Sequence, residues 1–163
     1  YGHARFDTKR SEVGELLYRF KYAQDKSGVR LLAETAAEFV RSQRWPVEAI
    51  VPVPPSRETR VFQPLQILAR ALGESLGIPV QSDCIAKTRS TPELKSVTAY
   101  DERLKLLDGA YAVFAKPIIG RKVLLLDDLY RSGATLKAAY STIAKSGVSE
   151  VYVLAITKTR VKR

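Results

Sequence analysis

Two adjacent aspartates close an aliphatic run in the segment 123-VLLLDDLYRSGATL-136, and a turn of Ser132, Gly133, Ala134 and Thr135 follows them. The two halves suit different chemistry. A helix start offers unpaired backbone N–H groups and the positive end of its dipole, which together hold a phosphate. Gly133 lets the backbone come close to an anion. The hydroxyls of Ser132 and Thr135 can donate to phosphate oxygens or cap the helix. Carboxylates repel that same phosphate, so Asp127 and Asp128 must face something else. A ribose diol can donate hydrogen bonds to them, and a hydrated Mg2+ can neutralise them. The segment therefore fits a sugar phosphate, with the carboxylates on the sugar hydroxyls and the loop on the terminal phosphate. A plain capped helix after an acidic strand end is the alternative that the stretch alone leaves open. The Mg2+-binding strand of P-loop nucleotidases also ends in acids, but the GxxxxGK[ST] loop it requires is absent from the chain.

Such a site has to be held by an open α/β sheet, whose ligands bind beyond the carboxyl ends of the strands. The chain has that grammar. Val47–Val53 and Lys122–Leu126 read as strands, the second buried on both faces because Val123 to Leu126 are all apolar. Val80–Lys87, Tyr111–Phe114 and Val151–Ile156 are further candidates. A helix carries Leu65, Leu68, Ala69, Leu72 and Leu76 on one stripe and stops at Gly77. Another carries Leu136, Ala139, Tyr140, Ile143 and Ala144 and stops at Gly147. Before them, residues 1–45 read as a helical unit. Its first helix spans 11–22, and its second carries Leu31, Leu32, Ala36, Phe39 and Val40 and ends before Trp45-Pro46. Residues 88–108 show no sustained strand alternation, although Asp101 to Leu107 suit a short helix. A loop this long in a compact domain is usually either functional or disordered. The expected architecture is an α/β fold with an open, mainly parallel sheet flanked by helices and a small helical N-terminal unit.

Composition narrows the chemistry. At 163 residues with 45% apolar content the chain suits one domain with a real core. One cysteine, Cys84, and one histidine, His3, exclude an internal disulfide framework and a Cys/His zinc site. Cys84 reads as a small buried hydrophobe. No apolar run approaches the roughly 18 residues of a membrane span. The polar start 1-YGHARFDTKR-10 lacks the apolar segment of a secretion signal, so a cytoplasmic location is expected. The formal net charge of +10 favours a polyanionic partner, and the tail 158-KTRVKR-163 is densely basic.

The opening segment resembles the phosphoribosyl pyrophosphate signature of type I phosphoribosyltransferases: four aliphatics, two acids, then a Thr-Gly-x-Thr type loop in which Ser132 stands for the first threonine. The wider chain resembles the ComF family of phosphoribosyltransferase-like competence proteins. The residues that carry this likeness are 20-FKY-22, 51-VPVPPSRETR-60, 60-RVFQPLQILARAL-72, Thr91, Arg103 and 109-GAY-111. It departs from the family at Val61 to Pro64, at Leu94 and at Leu106, and the cysteine-rich zinc module often found at the family's N-terminus either lay in a missing segment or never belonged to this branch.

The resemblance implies a type I phosphoribosyltransferase-like fold and a set of roles. Asp127 and Asp128 would hold the ribose hydroxyls, with Mg2+ beside them. Arg131, Ser132, Gly133, Ala134 and Thr135 would cradle the 5-phosphate. Pro55, Ser56 and Arg57 would form a pyrophosphate loop, where relatives often hold a non-proline cis peptide. Arg57, Lys87 and Arg89 would stabilise the departing pyrophosphate, under a flap formed by residues 88–108. The implied activity is transfer of a phosphoribosyl group to a nitrogen nucleophile. The alternative is a non-catalytic protein of this fold that binds single-stranded DNA in DNA uptake or recombination. The charge and basic tail favour that alternative, and Tyr18, Phe20 and Tyr22 are candidate stacking residues, although their spacing suits core and rim. Expected partners are phosphoribosyl pyrophosphate or a related ribose 5-phosphate, single-stranded DNA, and a second copy in a homodimer.

Overall fold

The computed structural model describes residues 10–55, 61–89, 99–114 and 116–159. Helices α1 (Glu12–Ala23) and α2 (Val29–Ser42) come first, joined by a single turn at Lys26–Gly28. The side chain of Ser11 caps α1 by accepting the Gly14 N–H at 3.1 Å. Strand β1 (Ala49–Pro52), helix α3 (Pro64–Leu76) and strand β2 (Ile85–Lys87) follow. Then come α4 (Tyr100–Leu107), β3 (Tyr111–Val113), β4 (Lys122–Tyr130), α5 (Ala134–Ala144) and β5 (Glu150–Lys158).

Strands β1, β4 and β5 form a parallel sheet in the order β1-β4-β5, with Ile50 opposite Leu124 and Leu124 opposite Tyr152. The strand period of two sorts its side chains into two layers. Ile50, Leu124 and Leu126 pack against Ala36, Ala37 and Val40 of α2 and Ala69 and Leu72 of α3. Val51, Val123 and Leu125 face the other way, onto Leu136, Ala139 and Ile143 of α5 and onto Leu107, Ala110 and Tyr111. The N-terminal helices therefore share a core with the sheet. Phe20 and Leu32 join α1 and α2 to Leu68 of α3 in a third cluster. Trp45, at the corner between α2 and β1, packs edge-on to Phe39 and lies 5.3 Å from the Tyr152 ring. Among the described residues no helix is long and apolar enough to cross a membrane.

Two strand expectations change. Val80–Lys87 is not one strand. Val80 makes a lone parallel bridge to Ile50, and Ile85–Lys87 pairs antiparallel with β3. The turn-forming Ser82 and Asp83 lie between the two pairings, so the chain bends away from the sheet there. Gly73 permits the close approach of Val80, because a Cβ there would lie 2.7 Å from Val80 Cγ2. The strand expected to stop at Leu126 instead runs to Tyr130, because β5 keeps pairing with it through Leu129–Thr157 and Tyr130–Lys158. The aspartates thus lie inside a strand. The short helix expected near 101–107 is α4, while residues 90–98 of the flap lie outside the described residues.

Candidate functional site

The site sits at the C-terminal end of β4, where the aliphatic half of the strand gives way to acids. Val53 continues the pairing of β1 past its end by donating its N–H to the Leu126 carbonyl at 2.8 Å. Pro54 and Pro55, both half-buried, follow that bond. Ser56 and Arg57 lie outside the described residues, and so does any cis peptide in their loop. On the other side, the Thr157 hydroxyl of β5 donates to the Asp128 carbonyl at 2.9 Å.

Asp127 is half-buried, and its Oδ1 accepts the Asp128 N–H at 2.8 Å. Burial, then the charge of Asp128, pushes the Asp127 carboxyl up to about 7 from its ordinary 3.8. Backbone N–H groups and the Lys21 ammonium pull the other way without cancelling the rise. Lys21 reaches the site from the last turn of α1, with Nζ 2.5 Å from Asp128 Oδ2. Tyr111 on β3 is buried close enough to feel Asp127. Burial, then that charge, pushes its phenol up to about 12, so the hydroxyl keeps its proton.

Beyond the acids the chain turns at Arg131 and Ser132 and enters α5. Gly133 precedes the helix in the left-handed region, at φ 79°. A Cβ there would lie 2.7 to 2.9 Å from the Tyr130 ring and hydroxyl, so glycine is required twice, for its conformation and for Tyr130. The Ser132 hydroxyl accepts the Ala134 N–H at a long 3.4 Å. Ala134 is buried, Thr135 half-buried and Arg131 exposed. The carboxylates and the first turn of α5 are therefore brought together at one strand end. A cleft of about 450 Å³ borders this turn, lined by Tyr100, Tyr130, Gly133, Leu136, Lys137 and Tyr140, among others.

Lys87 and Arg89 sit on or next to β2. Lys87 is half-buried, and burial, then the Arg89 charge, lowers its ammonium pKa. One guanidinium nitrogen of Arg89, Nη2, donates to the Leu106 carbonyl at 3.0 Å and also to the Asp108 carbonyl. That arrangement fastens the end of α4 and gives Arg89 a structural duty that the sequence did not indicate. Cys84 is buried and its thiol is pushed up to about 11, chiefly by burial, as an unreactive core residue would be.

A divalent cation fits this donor set in a limited way. Among the described residues no group of three or more His, Cys, Asp or Glu gathers to cage a metal. Two adjacent carboxylates, one of them driven towards neutrality by burial and then by its neighbour, suit an ion that keeps most of its waters or shares a phosphate ligand, as Mg2+ does. Lys21, Tyr111, Tyr130 and Thr157 were not legible as site residues. Only Lys21, in 20-FKY-22, and Tyr111, in 109-GAY-111, lay in segments that already carried the family likeness.

The fold is that of type I phosphoribosyltransferases. Glutamine phosphoribosylpyrophosphate amidotransferase from B. subtilis, complexed with ADP and GMP, superposes with a TM-score of 0.57 at 15% identity, over 86% of this chain and 30% of that one. Adenine phosphoribosyltransferase from Trypanosoma brucei, in complex with AMP, pyrophosphate and ribose-5-phosphate, gives 0.55 at 14% identity, over 86% of this chain and 56% of that one. In sequence the chain is a homologue of Competence protein F from Haemophilus influenzae, 27% identical over 152 residues. It is also similar to a uracil phosphoribosyltransferase from Streptomyces avermitilis, 28% identical over 124 residues. The alignments cover 88% and 76% of this chain but only 66% and 56% of those relatives. No family model matches the chain.

Proposed function

We propose that the chain binds phosphoribosyl pyrophosphate with Mg2+ and transfers its phosphoribosyl group to a nitrogen nucleophile, releasing pyrophosphate. One observation carries this reading: the carboxylates of Asp127 and Asp128 and the Gly133-opened first turn of α5 lie at the same strand end, one set for hydroxyls and the other for phosphate. The names of the uracil and adenine enzymes, and the ligands held by the second, support the same class of reaction. In this reading Asp127 and Asp128 accept from the ribose hydroxyls, while Ser132 to Thr135 and Arg131 hold the 5-phosphate. Pro55, Ser56, Arg57, Lys87 and Arg89 surround the pyrophosphate. Asp127 and Asp128 would hold Mg2+, which would supply charge neutralisation.

The transfer itself asks for positioning more than acid–base work. As the bond from the anomeric carbon to pyrophosphate breaks, positive charge grows on the ribose ring. The carboxylates favour that charge, and cationic side chains favour the leaving anion. Closure of the 88–108 flap would keep water from hydrolysing the activated sugar.

Calorimetric titration of phosphoribosyl pyrophosphate in Mg2+ tests the proposal. Binding should be present in the natural chain and absent from the Asp127→Asn, Asp128→Asn double variant. Undiminished binding in that variant removes the site.

A second reading, single-stranded DNA binding, gains from one observation. Tyr100, Tyr130 and Tyr140 line one cleft, and the Lys137 and Lys158 ammonium groups lie 5.8 and 5.4 Å from the Tyr100 and Tyr130 rings. Aromatic faces with flanking cations are what sequence-tolerant stacking of bases needs. Phe20, one of the three α1 candidates, is instead wholly buried. Affinity for a short oligonucleotide should fall steeply with salt and with Tyr130→Ala. No binding at low salt would end this reading.

A further inference from the structure

The acid pair carries its own cation. Lys21 Nζ lies 2.5 Å from Asp128 Oδ2, with the two side chains 19% and 18% exposed. The pairs Arg10–Glu15, Arg19–Asp25, Arg30–Glu34 and Lys122–Glu150 each have at least one partner more exposed than one third. The ammonium also sits near enough to Asp127 to favour its charged form, so one positive group serves two carboxylates. That is the electrostatic post a divalent cation would take, and two cations cannot share it without strong repulsion. Lys21 arrives from outside the sheet. It stands in the last turn of α1, one residue after Phe20, which is fully buried in the cluster that fastens α1 to α2 and α3. The backbone beneath Lys21 is therefore fixed, while its four-carbon stem can swing.

Resting on the reading of Asp127 and Asp128 as the ribose and metal site, we propose that Lys21 is an internal counter-cation that competes with a divalent ion for these carboxylates. Arrival of a cation-bearing ligand then displaces the Lys21 ammonium into solvent. Without that ligand the Lys21 ammonium offsets part of the charge of the acid pair, and the N-terminal helix registers whether the site is filled.

The probe is Mn2+ alone, titrated into the intact chain at low ionic strength and followed by loss of its free-ion paramagnetic signal. Lys21→Met should bind Mn2+ about tenfold more tightly than the natural chain, and Lys21→Arg should stay near the natural value. In the natural chain, acetylation of Lys21, read by mass spectrometry, should rise when Mg2+ and phosphoribosyl pyrophosphate are added. This arm holds even where Lys21→Met does not fold. Equal or weaker Mn2+ binding by a folded Lys21→Met overturns the proposal, and so does Lys21 labelling that is unchanged at saturating ligand. Failure of the site itself looks different. It appears as phosphoribosyl pyrophosphate binding that survives Asp127→Asn with Asp128→Asn, whatever Lys21 does.

Discussion

Strand β4 is two half-strands with different tasks. Val123 to Leu126 are wholly buried, and each points into one of two aliphatic clusters. Asp127 to Tyr130 keep the same backbone pairing to β5 but are partly open, and they carry two acids and an aromatic ring. The first half is stabilised by its side chains. The second is held mainly by its neighbours, through the ladder to β5, the Thr157 bond and Lys21. A strand can thus carry an unfavourable pair of charges at its tip because the cost is offset a few residues earlier by burial.

This contrast can be broken at either half. The largest loss should come from Leu125→Ala, which empties the layer facing α5. About 2 to 5 kcal/mol of stability should disappear, measured by urea unfolding. Asp127→Asn should act in the opposite direction. The folded carboxyl keeps its proton up to about 7, while in the unfolded chain it is lost near 3.8. Its contribution to stability is therefore full below 3.8 and is lost as pH rises through 7. The asparagine variant should lack that decline and outlast the natural chain at alkaline pH by a few kcal/mol. Equal pH profiles in thermal unfolding would show that Asp127 titrates normally.

Smaller effects sharpen the boundary between the halves. Gly133→Ala forces a side chain into the left-handed region and against Tyr130, at about 1 to 2 kcal/mol for the backbone alone. Adding Tyr130→Ala should recover the steric part and leave the backbone part, a separation that calorimetry can read. Arg89→Ala should have the least effect, about 0.5 to 1.5 kcal/mol for each bond lost at the end of α4. Faster amide exchange near Asp108 would report it. A large loss of ligand binding without faster exchange would instead place Arg89 at the pyrophosphate.

What was legible in the sequence follows the same division. Val123 to Leu126 announced a buried parallel strand because four aliphatics in a row suit a strand covered on both faces. The acids and the Ser-Gly-Ala-Thr turn were legible as one neighbourhood because they are contiguous in the chain, at the end of β4 and the start of α5. The continuation of β4 to Tyr130 was hidden, since it depends on a partner strand twenty-eight residues away, at Lys158. Lys21 was hidden for a similar reason: a lysine on an amphipathic helix looks solvated until the neighbour it reaches is known. Val80 to Lys87 read as one run because apolar content does not record that its two ends pair with different strands.

The single tryptophan has a practical consequence. Trp45 lies between Phe39 and Tyr152, and Tyr152 pairs with Leu124, three residues before Asp127 on β4. Indole fluorescence therefore watches α2 and the start of the sheet, through Phe39 and Tyr152, rather than the acids directly. A titration that leaves the emission unchanged, beside a melt that shifts it, would separate occupancy from folding with one intrinsic dye and no label.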